Sequence, residues 1–184
     1  MPTSAAAVSP DRGEPSPWIV RWAMLVPAEG VVLDLACGGG RHTGFFLDRG
    51  HPVVAVDRDL SGIADLRVVP GLEAIEADLE DGRPFPLVAR RFAGVVVTNY
   101  LHRPLLPELV AAVAPGGALL YETFADGNQR YGPPSNPDFL LHPGELLEAV
   151  AGELTVRAFE EVTIETPRPA VVQRIAAVRE EARV

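Results

Sequence analysis

The feature that most constrains the fold is an apolar run that ends in an acidic residue and a cluster of glycines. Three apolar residues at 31–33 precede Asp34, and three consecutive glycines occupy positions 38–40. A parallel β-strand that is covered on both faces is apolar along nearly its whole length. Glycines just beyond such a strand allow the backbone to approach a ligand closely. The segment therefore predicts a buried strand followed by a nucleoside-binding loop.

A second acidic residue ends the next apolar run. Asp57 directly follows residues 53–56, which are Val, Val, Ala and Val. In open α/β sheets, ligands bind at the carboxyl ends of the parallel strands. Asp57 is therefore predicted to accept hydrogen bonds from the hydroxyl groups of a ribose.

The glycine loop departs from the dinucleotide-binding fingerprint G-x-G-x-x-G. A register that begins at Gly38 places Thr43 at the third glycine, and one that begins at Ala36 places Arg41 there. That third glycine permits close helix packing, so neither register satisfies the fingerprint. The carboxylate of Asp34 would repel a nearby diphosphate, whereas it can meet an ammonium group directly or through water. S-adenosylmethionine, which carries an ammonium and no phosphate, fits this loop better than a dinucleotide does.

The order of the motifs resembles that of the class I S-adenosylmethionine-dependent methyltransferases, over roughly residues 16 to 178. Besides Asp57, the segments that carry the resemblance are the loop 34–40, Ala77-Asp78-Leu79, Val95-Val96-Val97-Thr98-Asn99-Tyr100 and Pro115-Gly116-Gly117. Ala36 stands where the family motif E/D-x-G-x-G-x-G usually has its first glycine. The compact length and the segment 139–146 are similar to the small, single-domain branch that includes tellurite-resistance-type methyltransferases.

The resemblance implies an α/β, three-layer, Rossmann-like methyltransferase fold with a mostly parallel seven-stranded sheet and a C-terminal antiparallel hairpin. Alternating strand and helix patterns favour the same parallel sheet. The predicted strands are 53–57, 72–76, 92–98 and 118–123, and the hairpin spans 154–166 and 170–178. Ser16 and Pro17 predict a helix start. A later helix over 105–113 is expected to end at Pro115-Gly116-Gly117.

The resemblance also implies which residues form the cofactor and acceptor sites. The predicted cofactor-binding residues are Asp34, Ala36, Gly38, Gly40, Asp57, Arg58, Asp78, Leu79 and Asn99. The predicted catalytic residues, which would orient an acceptor or take its proton, are Tyr100, His102 and Glu122. A long loop rich in proline and glycine supplies the predicted acceptor-binding residues Asn128, Arg130 and Tyr131.

Several of these side chains also have a purely structural interpretation. Asp57 could cap the following helix, His102 could begin the next one, and Arg130 could form a surface ion pair. Trp18 and Trp22 could cover the cofactor pocket or simply attach their helix to the sheet. The four histidines show no short metal-ligand spacing, so no metal site is predicted.

Composition narrows the partners and the compartment. The 184 residues carry a formal net charge of −9, which disfavours nucleic acid as a partner. The chain is long enough, and at 47% hydrophobic residues apolar enough, to form one domain with its own core. This domain is predicted at 16–184, after a disordered tail at 1–15. The single cysteine and the lack of an apolar stretch of roughly 18 residues favour a cytoplasmic protein without a membrane segment.

The sequence thus predicts an enzyme that transfers the methyl group of S-adenosylmethionine to a small-molecule acceptor by direct displacement. One alternative is a non-catalytic module that binds S-adenosylmethionine or S-adenosylhomocysteine as a partner subunit or sensor. Another is a nicotinamide-dependent oxidoreductase. No N-P-P-Y-type motif follows the fourth strand, so the sequence does not select the acceptor atom.

Overall fold

The computed structural model describes residues 12–181. Residues 1–11 of the predicted N-terminal tail, and residues 182–184 at the other end, lie outside the described part. Of the remaining tail residues, Arg12 reaches the glycine loop, where its guanidinium donates a hydrogen bond of 2.5 Å to the carbonyl oxygen of Gly39. It also donates one of 3.0 Å to the carbonyl oxygen of Gly62 and contacts Asp65. The first described residues therefore pack beside the predicted cofactor loop.

A seven-stranded sheet forms the centre of the described part of the chain. Its strands are β1 (Val32–Leu35), β2 (Val53–Asp57), β3 (Leu72–Glu76), β4 (Phe92–Thr98), β5 (Val113–Phe124), β6 (Thr155–Ile164) and β7 (Ala170–Val178). The strand order is β3-β2-β1-β4-β5-β7-β6. Strands β1 to β5 are parallel, whereas β7 is antiparallel to both β5 and β6. The predicted seven-stranded sheet with a C-terminal antiparallel hairpin is confirmed.

Four short α-helices accompany the sheet within residues 12–181. They are α1 (Pro17–Trp22), α2 (Arg41–Leu47), α3 (Leu106–Ala111) and α4 (Glu145–Val150). The side chain of Ser16 accepts a hydrogen bond from the backbone N–H of Trp18, so α1 begins where the sequence predicts. Trp18 is buried and its indole N–H donates to the carbonyl oxygen of Ile175, which attaches α1 to the sheet. Within residues 12–181, no helix is long and apolar enough to cross a membrane.

Helices cover both faces of the sheet because successive strand residues point to opposite sides. Leu33 and Val95 belong to a hydrophobic cluster that includes residues of α3 and α4. Their neighbours Val32 and Val96 belong to a second cluster, which includes Trp18 of α1 and residues of α2. This arrangement is the predicted three-layer architecture.

The predicted helix over 105–113 is wrong at its end. Helix α3 stops at Ala111, and Val113 already pairs with Phe92 as the first residue of β5. Pro115-Gly116-Gly117 therefore lies inside β5, where the register with β4 is irregular. A β-carbon on Gly117 would lie 2.9 Å from the carbonyl oxygen of Phe92. The glycine thus allows a close approach of two strands and does not terminate a helix.

Candidate functional site

The glycine loop between β1 and α2 is held by the last residue of β2. One carboxylate oxygen of Asp57 accepts a hydrogen bond of 2.8 Å from the backbone N–H of Gly38. The other accepts one of 3.2 Å from the backbone N–H of Asp59. Each oxygen has a further lone pair, so Asp57 can fix the loop and still accept from a ligand.

Two residues that are not glycine adopt the left-handed backbone conformation at this edge of the sheet. The φ angle is 53° at Ala36, after β1, and 55° at Asn99, after β4. This conformation costs alanine roughly 1 to 2 kcal/mol, whereas asparagine tolerates it better. The backbone N–H of Asn99 donates to the carbonyl oxygen of Glu122, which stabilises its turn. Strained backbone of this kind concentrates at binding and catalytic sites.

Two glycines allow the loop to pack against the 3₁₀ segment Ser61–Val68. A β-carbon on Gly40 would lie 2.4 Å from Cγ2 of Ile63, and one on Gly62 would lie 2.8 Å from the carbonyl oxygen of Gly38. The sequence predicts Gly40 as a site residue but does not predict Gly62. The position of Gly62 inside a helical pattern is the sequence feature that could have indicated its packing role.

A cavity of about 320 Å³ lies at this edge of the sheet. Its lining residues are Ala36, Asp57, Arg58, Ala77, Asp78, Leu79, Glu80 and Tyr100. All of them except Ala77 and Glu80 are predicted site residues, and these two flank the predicted pair Asp78 and Leu79. Among residues 12–181, no cluster of three or more His, Cys, Asp or Glu side chains could hold a metal ion.

Asp34 lies beneath the loop and does not line the cavity. Its side chain is buried, and the carboxylate accepts a hydrogen bond of 2.6 Å from the hydroxyl of Thr43 in α2. Burial raises the pKa of Asp34 to about 6, although the bond to Thr43 acts in the opposite direction. Its contact with the ammonium of a cofactor stays a prediction.

The predicted catalytic residues occupy different environments. Tyr100 lines the cavity, whereas His102 is half-buried before the 3₁₀ turn Arg103–Leu105 and lines none of it. Glu122 is buried, and its two oxygens accept from the hydroxyl of Ser16 at 2.7 Å and from Arg174 at 3.2 Å. Internal contacts therefore occupy Glu122, and its catalytic role stays a prediction, as does that of His102.

The sequence pattern did not indicate a role for His42, which continues the network around Glu122. The backbone N–H of Ser16 donates a hydrogen bond of 3.0 Å to Nε2 of His42. Burial, with a smaller contribution from the charge of Arg41, lowers the pKa of His42 to about 3. The ring is therefore neutral and can accept this bond. Nδ1 then carries the proton and lies 3.4 Å from the hydroxyl of Thr98, at the end of β4.

The three predicted acceptor-binding residues lie in the loop after β5, outside the cavity lining. Asn128 is buried, where its amide donates to the carbonyl oxygen of Pro134 and accepts from the backbone N–H of Val171. These bonds close the loop onto β7. Arg130 and Tyr131 are exposed, and Arg130 forms no ion pair within residues 12–181. Their contact with an acceptor stays a prediction.

Known proteins share both sequence and fold with this chain, although no protein-family model matches it. The trans-aconitate 2-methyltransferase of Azoarcus sp. (strain BH72) is 32% identical over 126 residues, which cover 66% of this chain and 48% of that protein. The chain spans about half the length of the curated relatives it matches.

Solved structures share the fold of this chain. One is the 1,6-didemethyltoxoflavin-N1-methyltransferase of Burkholderia thailandensis, solved with 1,6-didemethyltoxoflavin and S-adenosylhomocysteine bound. Its TM-score is 0.67 at 19% identity, covering 90% of this chain and 77% of that one. The structure of TehB from Haemophilus influenzae has a TM-score of 0.68 at 18% identity, and the match covers 89% of this chain and 61% of that one. By its fold, its glycine loop and its sequence relatives, the chain belongs to the class I S-adenosylmethionine-dependent methyltransferase family.

Proposed function

We propose that this chain transfers the methyl group of S-adenosylmethionine to a small-molecule acceptor by direct displacement. The observation that carries the proposal is the cavity at the carboxyl ends of β1 and β2, with Asp57 in its wall and bonded to Gly38. A carboxylate at the end of the second strand is placed to accept hydrogen bonds from ribose hydroxyls.

The side chains that line the cavity fit this cofactor. Asp57, Asp78 and Glu80 supply carboxylates, which accept hydrogen bonds from hydroxyl and amino groups. Arg58 is the one cation among the lining residues. A surplus of negative charge disfavours a diphosphate, and therefore a nicotinamide dinucleotide, but does not oppose a nucleoside attached to a sulfonium and an amino acid.

The loop backbone supports the same assignment. A β-carbon on Gly38 would have no atom within 4 Å, so the backbone there is open to close approach. When bound, the sulfonium of S-adenosylmethionine supplies a methyl group that is already electrophilic. The chain then has to hold the cofactor, orient the acceptor and exclude water. In this proposal, Asp57 and the glycine loop hold the cofactor.

The acceptor is proposed to be small and polar or anionic. The exposed guanidinium of Arg130 and the phenol of Tyr131, in the loop after β5, are groups that can bind a carboxylate. The sequence relative from Azoarcus is named for trans-aconitate, which makes that compound a rational first acceptor to test. Replacing Arg130 with Gln should raise the KM for an anionic acceptor and leave S-adenosylmethionine affinity unchanged.

Labelled cofactor tests the proposal directly. The purified chain is incubated with methyl-labelled S-adenosylmethionine and either trans-aconitate or a metabolite extract, and label in small molecules and released S-adenosylhomocysteine are measured. Transfer in either sample supports the activity. Cofactor binding without transfer in both would favour the non-catalytic module. Stronger thermal stabilisation by NAD than by S-adenosylhomocysteine would contradict the cofactor assignment.

A further inference from the structure

The cavity has few side chains that can donate a hydrogen bond. Three of its lining residues carry carboxylates, and its two alanines and one leucine carry no polar side-chain atom. The remaining two are Arg58, which is exposed, and Tyr100. A nucleoside presents ring nitrogens and hydroxyl oxygens that accept hydrogen bonds. Tyr100 is thus the one uncharged side-chain donor among the residues that line the cavity.

The backbone holds Tyr100 in a defined position. Asn99, which precedes it, has the left-handed conformation, and the N–H of Asn99 is bonded to the carbonyl oxygen of Glu122. The carbonyl oxygen of Tyr100 accepts a hydrogen bond of 2.8 Å from the hydroxyl of Tyr121, which is buried. Contacts on both sides therefore fix the backbone of Tyr100 at the cavity wall.

The hydroxyl of Tyr100 is buried and forms no hydrogen bond of normal geometry within residues 12–181, although the carboxylate of Glu80 is close enough to act on it. A buried hydroxyl without a partner is unfavourable, and buried polar groups in native proteins are nearly always paired. Because this one belongs to a residue of the cavity wall, a bound ligand is the natural source of its partner.

We infer that Tyr100 is a cofactor-binding residue whose hydroxyl donates a hydrogen bond to an acceptor atom of the nucleoside, and that it does not take a proton from the methyl acceptor. The inference rests on the proposed function. It differs from the role predicted for Tyr100 from the sequence, in which the phenol orients the acceptor or accepts its proton.

The electrostatic environment agrees with a donor role. Burial, followed by the charge of Glu80 and the hydrogen-bonding effect of its nearby carboxylate, raises the pKa of Tyr100, and Asp78 and Asp57 contribute less. A phenol surrounded by carboxylates keeps its proton, because the phenolate would add a further negative charge to the cavity. The hydroxyl therefore remains a donor at neutral pH and is a poor proton acceptor there.

The test compares Tyr100→Phe with Tyr131→Phe, which makes the same chemical change at an exposed residue outside the cavity lining. Calorimetric titration with S-adenosylhomocysteine should show that Tyr100→Phe raises Kd about twofold to twelvefold, the range expected for one lost hydrogen bond. Tyr131→Phe should leave this Kd unchanged. Without ligand, Tyr100→Phe should melt no lower than wild type, because the hydroxyl it removes forms no hydrogen bond of normal geometry within residues 12–181.

Kinetics supply a second readout. With S-adenosylmethionine as the varied substrate, Tyr100→Phe should raise KM and leave kcat within about twofold, because a lost contact with the cofactor weakens its binding. A loss of kcat with unchanged Kd would overturn the inference and return Tyr100 to proton transfer. An unchanged Kd and KM would also overturn it. If wild type does not bind S-adenosylhomocysteine, the proposed function fails together with the inference.

Discussion

The carboxylate of Asp57 accepts a hydrogen bond of 2.8 Å from the backbone N–H of Gly38. Strands β1 and β2 pair along their length. The bond to Gly38 adds a side-chain link between the end of β2 and the loop that follows β1. The position of the glycine loop therefore depends on the same side chain that is proposed to hold the ribose. Cofactor affinity and loop geometry should respond together to changes at this residue.

Replacement of Asp57 by Ala should weaken S-adenosylhomocysteine binding by roughly 1 to 3 kcal/mol, because both the loop and the ribose lose an acceptor. Asp57→Asn is the matched control, since its amide oxygen can still accept from Gly38. The loss of S-adenosylhomocysteine affinity in Asp57→Asn should be smaller than that in Asp57→Ala. Calorimetric titration measures both, and an alanine variant with wild-type affinity would contradict the proposed role of Asp57.

Replacement of Ala36 by Gly should stabilise the unliganded protein. The left-handed conformation at Ala36, with a φ of 53°, is strained for alanine and unstrained for glycine. The relief exceeds the extra entropy of glycine in the unfolded chain, so the free energy of unfolding should rise by about 0.5 to 1 kcal/mol. Ala74→Gly in β3 is the control and should lower the melting temperature. Equal decreases in both variants would contradict strain at Ala36.

Replacement of Gly40 by Ala should destabilise the protein by about 2 to 4 kcal/mol, since the new methyl group meets Ile63 and the φ of 73° is strained for alanine. At Gly39 a β-carbon would have no atom within 4 Å. Gly39→Ala should therefore change the free energy of unfolding by less than about 0.5 kcal/mol. Urea unfolding without ligand compares the two, and similar values would show that the loop does not pack as described.

The stability of the protein should fall in acid through His42. Burial lowers its pKa from 6.5 to about 3 in the folded state, so below pH 6.5 the unfolded chain binds a proton that the folded chain excludes. The contribution is fully present above pH 6.5 and is lost as the pH falls toward 3. It amounts to roughly 4 to 5 kcal/mol over that interval.

His42→Gln tests this pH dependence, because the amide oxygen can still accept from the N–H of Ser16 but does not titrate. Urea unfolding at a series of pH values from 7 to 4 should show a shallower decrease for the variant than for wild type. Parallel curves would mean that His42 is not held neutral in the folded protein.

Local patterns were sufficient to predict most of the sheet. The bounds of β2 and β4 agree with the prediction because a buried parallel strand is a nearly uninterrupted apolar run, which is visible in sequence. The bounds of β3 also agree, although it is a partly exposed edge strand with two glutamates. The start of β5 was not predicted, since the assignment of Val113 to a strand depends on its pairing with Phe92. The motif order likewise indicated most of the cavity wall, including Asp57, Asp78 and Tyr100.

The sequence alone determined the glycine loop and the acidic residues at the strand ends, because each is encoded in a short run of neighbouring residues. It also indicated the α/β class, through the alternation of strand and helix patterns and the order of the motifs along the chain. Tertiary structure decided how individual side chains are used. Ser16 bonds to Glu122 across 106 positions of the chain, and Gly62 packs against Gly38 from another segment. Such contacts depend on which distant segments fold together, and that arrangement engages Glu122 in the protein interior while placing Tyr100 at the cavity.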